Sequence, residues 1–251
     1  MTRTFAIAAV IGGSIALVGC MGSRYDTASY NGTQAGTSLP AITGSVSDTW
    51  YDLNGTGEPV RGGPDYDAIY AAAYDGGEYI PSVNWQRLGE RNLRQRVAYA
   101  AGHAPGTIVI DVAGRHLYLV ERGGTAMRYG IAVGKDGFGW AGKTKVGRKA
   151  RWPDWHPPAS MIERKPELEE HRDGMAGGID NPLGARALYL FRGGNDTLYR
   201  IHGTNQPYSI GSAASSGCFR MVNQDVIDLY GRVRTGAKVV VLAEGQSVAA
   251  L

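Results

Sequence analysis

A mostly β domain, sandwich or barrel-like, with one or two short helices and a Gly/Pro-rich lid is the fold the sequence predicts. Three observations predict it. Glycine supplies 37 of 251 residues, about twice the usual ~7%, which suits turns rather than a helical bundle. From residue 105 onward, runs of β-branched and aromatic residues come in pairs separated by turn residues. No regular helical segment intervenes between those runs, so the strands are expected to pair as hairpins rather than through helical crossovers.

The elements follow in chain order. Arg3 and the apolar stretch Phe5 to Val18 have the length of a signal-peptide core and are too short to span a bilayer. The stretch ends in Leu17-Val18-Gly19-Cys20, which resembles a bacterial lipobox with Cys20 as the lipidated residue; an ordinary secretory signal with an incidental cysteine is the alternative. Met21 follows, so no Asp marks the chain for inner-membrane retention. Either form places the mature protein outside the cytoplasm, in the periplasm or cell envelope, and the lipobox form anchors it to the membrane. Residues 21–64 are rich in Gly, Ser, Thr, Asn and Asp without a period of 2 or 3.6. They read as a flexible tether of roughly 35–40 Å r.m.s. span, or else as an irregular part of the folded domain.

Residues 65–104 form a short extension that packs on, or leads into, the following domain. Tyr66, Ile69, Tyr70 and Ala73 have helical spacing, and the basic residues 86–101 are a second helix candidate. The main domain is expected over 105–243, with 244–251 as a tail. Residues 107–112 and 116–120 flank Ala113-Gly114-Arg115 as a first hairpin, and Ala126 to Val133 is a third strand. Residues 187–191 and 198–202 flank Gly193-Gly194-Asn195-Asp196 as a second hairpin. Lys238 to Ala243 is a closing strand. One helix is clear: Asn223 as N-cap, Asp225 in the first turn, and Val226, Leu229, Tyr230 and Val233 on one face. Residues 134–183 carry too many Gly and Pro for continuous regular structure, with a helix candidate at 159–171. Trp152, Trp155 and His156 sit in a Pro-stiffened aromatic stretch that reads as a lid.

Composition narrows the function. A net charge of +3 is too mild for a nucleic-acid partner. Two cysteines make no disulfide framework, and no CxxC pair is present to hold zinc. Once Cys20 carries lipid, Cys218 is the one remaining thiol. In an oxidising compartment a lone thiol risks overoxidation, so its retention asks for a reason. Thiolate is the strong nucleophile, and a reference pKa of ~8.5 leaves only a few per cent of it at pH 7. His202, at the end of a strand, is the natural partner, and the residues are expected to meet as a thiolate–imidazolium pair; a neutral pair in which His202 takes the proton as attack begins is the alternative. Gly217 permits positive φ before Cys218, which lets the N–H groups of residues 216–218 converge as an oxyanion hole. Taken singly, Cys218 and His202 also suit a packed core, and Arg220, Asp225, His103, His116 and His171 have ordinary structural readings.

The stretch His202-Gly203-Thr204…Ser215-Ser216-Gly217-Cys218-Phe219-Arg220-Met221 resembles the signature of the L,D-transpeptidase (YkuD-type) catalytic domain. The similarity extends over about residues 105–243, including Asn181-Pro182-Leu183-Gly184 and the closing Val239-Val240-Val241-Leu242. The resemblance implies Cys218 as nucleophile, His202 as its base and the Gly203 carbonyl as the group that orients the imidazole. It also implies an oxyanion hole from Ser216, Gly217 and Cys218, and Arg220 as a holder of a substrate carboxylate. Many members carry a second His where this chain has Ser216, which bears on specificity. The implied partners are peptidoglycan stem peptides as donor and acceptor, with a lipoprotein as another possible acceptor; no metal or cofactor is implied. The donor is attacked at the L-centre carbonyl of its third residue, releasing D-Ala and giving 3→3 cross-links. A hydrolase of the same fold and a catalytically dead wall-binding lipoprotein are the alternatives.

Overall fold

The computed structural model describes residues 64–134, 140–213, 217–243 and 245–248. The signal segment, Cys20, the tether up to residue 63 and Ser216 lie outside the described residues. The first helix, α1, spans Tyr66–Ile69 and is capped by the Asp65 side chain, which accepts from the Ala68 N–H at 3.0 Å. It stops after one turn because Ala73 belongs to the next element, a hairpin of β1 (Ala73–Asp75) and β2 (Glu78–Ile80). Gly76 and Gly77 turn it at φ 62° and 93°, the left-handed pair that a two-residue hairpin turn requires. The helix expected within 86–101 is absent. Gly89, at φ 77°, separates two 3-10 turns at Trp85–Leu88 and Glu90–Asn92, and strand β3 (Gln95–Ala98) follows.

Then come β4 (Ile108–Asp111), β5 (His116–Val120), β6 (Thr125–Gly130), β7 (Gly142–Arg151), helix α2 (Ala159–Arg164), β8 (Arg186–Arg192), β9 (Asn195–His202), β10 (Phe219–Arg220), helix α3 (Asn223–Arg232) and β11 (Lys238–Val241). Nine strands form one sheet in the order β10-β9-β8-β7-β11-β4-β5-β6-β3. Its edge strand β3 precedes residue 105. Most pairs are antiparallel, but β11 runs parallel to β4 and β10 parallel to β9. Beyond β6, Ala132 exchanges two hydrogen bonds of 2.9 Å with Arg220 of β10, which joins the two ends of the sheet into a barrel-like closure.

Period-2 alternation explains the core. Ile108 and Ile110, Leu117 and Leu119, Met127 and Tyr129, Leu188 and Leu190, and Val239 and Val241 share one cluster with Val226 and Leu229 of α3 and Val233 at its C-cap. Intervening residues Val109, Tyr118, Val120 and Ala126 join Val97 and Tyr99 in a second cluster. Strand β7 breaks the pattern, with Val146 as its core residue. Its cations lie on aromatic faces instead: Arg148 is 3.5 Å from the Tyr189 ring centroid and Lys149 3.9 Å from that of Tyr230.

The 64–104 segment packs into the domain. Tyr70, Leu88 and Leu93 cluster with Ala132, Ile210 and Val222. Tyr70 Oη donates to Asp225 at 3.2 Å and accepts from the Arg94 N–H at 2.9 Å. The hairpin is clamped by Asp75, whose carboxylate receives Arg186 at 2.7 and 2.6 Å.

Candidate active site

Strand β9 delivers His202 and strand β10 carries the chain out of Cys218. The strands are parallel, with Phe219 opposite Ile201 and Arg220 opposite His202. Partners in register project to the same face, and so does the residue two positions back. Cys218 and His202 therefore share a face, offset by about 6–7 Å along the strands at ~3.3 Å per residue.

His202 is buried. Its Nδ1 lies 2.6 Å from the Gly203 carbonyl. A carbonyl only accepts, so Nδ1 carries the proton and Nε2 presents a lone pair. Burial, with the charges of Arg220 and Arg200, lowers the imidazole pKa to about 4, against the raising effect of the Gly203 bond. Gly203 is held in turn: its N–H donates to the Arg186 carbonyl at 3.0 Å. A Cβ there would come within 2.2 Å of Asn223 Oδ1, so only glycine fits. Asn223 does not cap α3 as expected; Val222 holds the N-cap position and offers no side-chain cap. The Asn223 amide instead accepts from the N–H groups of Ala185 at 3.0 Å and Thr204 at 3.3 Å, bracketing the loop after His202.

Cys218 is partly exposed as a residue. Its Sγ lies 3.9 Å from the Leu198 carbonyl. Burial raises the thiol pKa, while a bond from the Arg200 backbone and the charges of Arg200 and Arg220 pull the other way. These directions favour the neutral pair over the expected ion pair. A raised thiol and a depressed imidazole make the neutral pair the resting form. Gly217 sits at φ 110°. Arg220 has no ion pair among the described residues, and burial lowers its pKa.

The three lid candidates are each held by contacts of their own. The Trp152 indole donates to the Asp75 carbonyl at 2.9 Å and its carboxylate at 2.8 Å. Trp155 bridges to Met175, and the His156 ring lies against Gly174. These are contacts within the excursion from β7 to β8 and with the hairpin. The excursion is pinned by Asn181, whose amide donates to the Pro153, Met175 and Ala176 carbonyls. Asn205 ties it to the loop after His202 through the Asp180 carbonyl at 2.7 Å.

Sequence reasoning missed the aromatic stack that packs behind the Gly217-Cys218 turn. Trp140 stacks on Tyr199 at 4.5 Å and Tyr199 on Phe219 at 6.3 Å. The Tyr199 ring lies 3.7 Å from where a Gly217 Cβ would stand. The two-residue alternation of Tyr199 and Ile201 was a readable signal; Trp140's position was not. Among the described residues no three His, Cys, Asp or Glu side chains gather to hold a metal.

Comparison with known proteins bears on this site. Residues 105–241 match the model of the L,D-transpeptidase catalytic domain. The probable L,D-transpeptidase YbiS of Escherichia coli is 38% identical over 138 residues, covering 53% of this chain and 43% of that protein. The chain thus spans less than half the length of that relative. A Brucella melitensis structure, solved under the name of a probable carnitine operon oxidoreductase, is 56% identical, covers 60% of this chain and 93% of its own, and has a TM-score of 0.43. The L,D-transpeptidase structure of Xylanimonas cellulosilytica is 18% identical over 57% of this chain and 63% of that one, with a TM-score of 0.40.

Proposed function

The chain belongs to the L,D-transpeptidase catalytic-domain family, and on that premise we propose that it is a cysteine-dependent acyltransferase acting on peptidoglycan stem peptides. The observation that carries the proposal is the His202 tautomer. An imidazole that donates from Nδ1 to the Gly203 carbonyl keeps Nε2 free to accept a proton on the face it shares with Cys218.

The reaction then runs in two halves. His202 Nε2 takes the Sγ proton as sulfur bonds to the donor's carbonyl carbon. The oxyanion is held by N–H groups at Gly217, Cys218 and Ser216. The tetrahedral adduct collapses by expelling the terminal D-Ala amine, which receives the proton from His202, and a thioester remains. An amine of a second stem attacks the thioester, gives its proton to His202, and the thiol is regenerated. Arg220 receives a donor carboxylate. A neutral resting pair suits this sequence, because His202 remains a base above about pH 4. The reading includes export to the periplasm with an anchor at Cys20, and a lipoprotein as another acceptor.

The test is mass spectrometry of products from purified disaccharide-tetrapeptide. A 3→3 dimer with loss of one D-Ala supports the reading. Tripeptide product alone makes the enzyme a hydrolase, and unchanged substrate removes the function.

A further inference from the structure

Strand β9 does not run straight past the thiol. Tyr189 pairs with Arg200, and Phe191 pairs with Asp196. Leu190 alone is therefore opposed by Thr197, Leu198 and Tyr199, a bulge that projects beside Cys218. Leu198 at its crest has φ 63°, one of three non-glycine residues with positive φ among those described. It is also 76% exposed.

The bulge is held in place by polar contacts. Asp196 Oδ1 accepts from the Leu198 N–H at 2.8 Å, and Arg200 grips the same carboxylate with two bonds of 2.7 and 2.9 Å. Thr197 Oγ1 donates to the Leu190 carbonyl at 2.7 Å. The Leu198 carbonyl is the group that faces Cys218 Sγ.

A left-handed turn in water is most easily made by glycine or asparagine. Leucine there carries both backbone strain and an exposed apolar side chain. Strained residues held by surrounding structure cluster where a ligand is handled. Among the described residues this side chain is left largely uncovered, and the group facing its backbone carbonyl is the Cys218 thiol. We infer that Leu198 is a specificity-determining residue, forming an apolar wall against the methylene chain of the donor's third residue as its carbonyl meets Cys218. The inference rests on the acyltransfer reading above.

The experiment compares wild type with Leu198→Asn, Leu198→Gly and Leu198→Met. Three readouts are taken: kcat/KM on disaccharide-tetrapeptide, the rate of Cys218 alkylation by iodoacetamide, and Tm. Asn and Gly suit the backbone, so Tm holds or rises. Loss of a one-to-two-methylene apolar contact lowers kcat/KM by about ten- to a hundredfold, alkylation stays near the wild-type rate, and Met recovers most of the loss. Unchanged kcat/KM in both Asn and Gly variants overturns the inference. So does a matching fall in alkylation, which would make the bulge a positioner of sulfur. Wild type that alkylates but never turns over tetrapeptide overturns the acyltransfer reading itself, a result distinct from any ranking of the variants.

Discussion

Asp75→Ala tests how far the site depends on the hairpin that precedes the matched domain. The Asp75 carboxylate receives two bonds from Arg186 and one from Trp152, with Arg151 at 3.3 Å. The Arg186 side chain is 5% exposed and that of Asp75 17%. Removing one partner of a buried pair costs about 3–5 kcal/mol, since the remaining charge is stranded. Partial access of water to Asp75 favours the lower end, about 3 kcal/mol. For a domain of this size that is roughly 6–12 °C in Tm, at ~2–4 °C per kcal/mol. The damage should reach catalysis, because the Arg186 carbonyl holds the Gly203 N–H and the Gly203 carbonyl holds His202. Thermal unfolding and tetrapeptide turnover are the assays. Replacing Arg186 by Met in the same chain should restore much of the Tm, since the stranded charge is gone. Burial opposes ionisation of Asp75, but the hydrogen bonds and charge of Arg186 prevail and hold its carboxyl below the ordinary carboxylate range. The folded state thus binds this proton less readily than the unfolded one, so the clamp contributes in full at neutral pH and is lost as pH falls through the lowered pKa. An Asp75→Ala protein with wild-type Tm would refute the argument.

Other expectations concern the site itself. Cys218→Ala should keep the wild-type Tm and give no acyl-enzyme mass with tetrapeptide; turnover in that variant would end the mechanism. The acid limb of turnover should fall near about 4, where burial sets His202, rather than at the ordinary imidazole value of 6.5, as a pH–rate profile would read. Because the unfolded histidine protonates first, stability should drop by roughly 3 kcal/mol as pH falls from 6.5 to about 4, at 1.36 kcal/mol per unit. Alkylation of Cys218 in the absence of substrate should keep its pH profile in His202→Ala, as the neutral pair requires; a profile moved upward would restore the ion pair. Asn223→Ala leaves the Ala185 and Thr204 N–H groups without their acceptor, at about 1–3 kcal/mol for each buried donor, and chemical denaturation should register the loss.

The sequence made the local hairpins legible because their chemistry is local. Alternation at Ile108, Ile110, Leu117 and Leu119 points one face inward wherever the strands go, and the stripe Val226, Leu229, Val233 does the same for α3. The motif singled out Cys218 and His202, and the parallel pairing of β9 with β10 puts the two segments that carry them side by side. Strand β7 was not readable, because two of its cations, Arg148 and Lys149, are accommodated by Tyr189 and Tyr230 from distant segments. The burial of His202 and of the sulfur, which favours the neutral pair, is a property of the closed barrel and not of the motif. Asn223 looked like a cap because its acceptors' true partners, Ala185 and Thr204, are far along the chain. The Asp75–Arg186 clamp spans 111 positions, beyond any pattern that periodicity can detect.

Strand β10 lies between β9 and Ala132, and that placement sets when the molecule becomes competent. Hairpin β8–β9 is a local pairing and forms cheaply. The bridge from Ala132 to Arg220 encloses β7, the pinned excursion and that hairpin, so its closure carries a large loop entropy and comes late. Until then β10 is held along one edge alone, by its pairing with β9. Refolding amplitude for activity should therefore rise in the slowest phase, together with hydrogen-exchange protection at the Ala132 and Arg220 amides. On that order of events the site is completed together with the last topological step, and an incompletely folded chain would stay chemically silent.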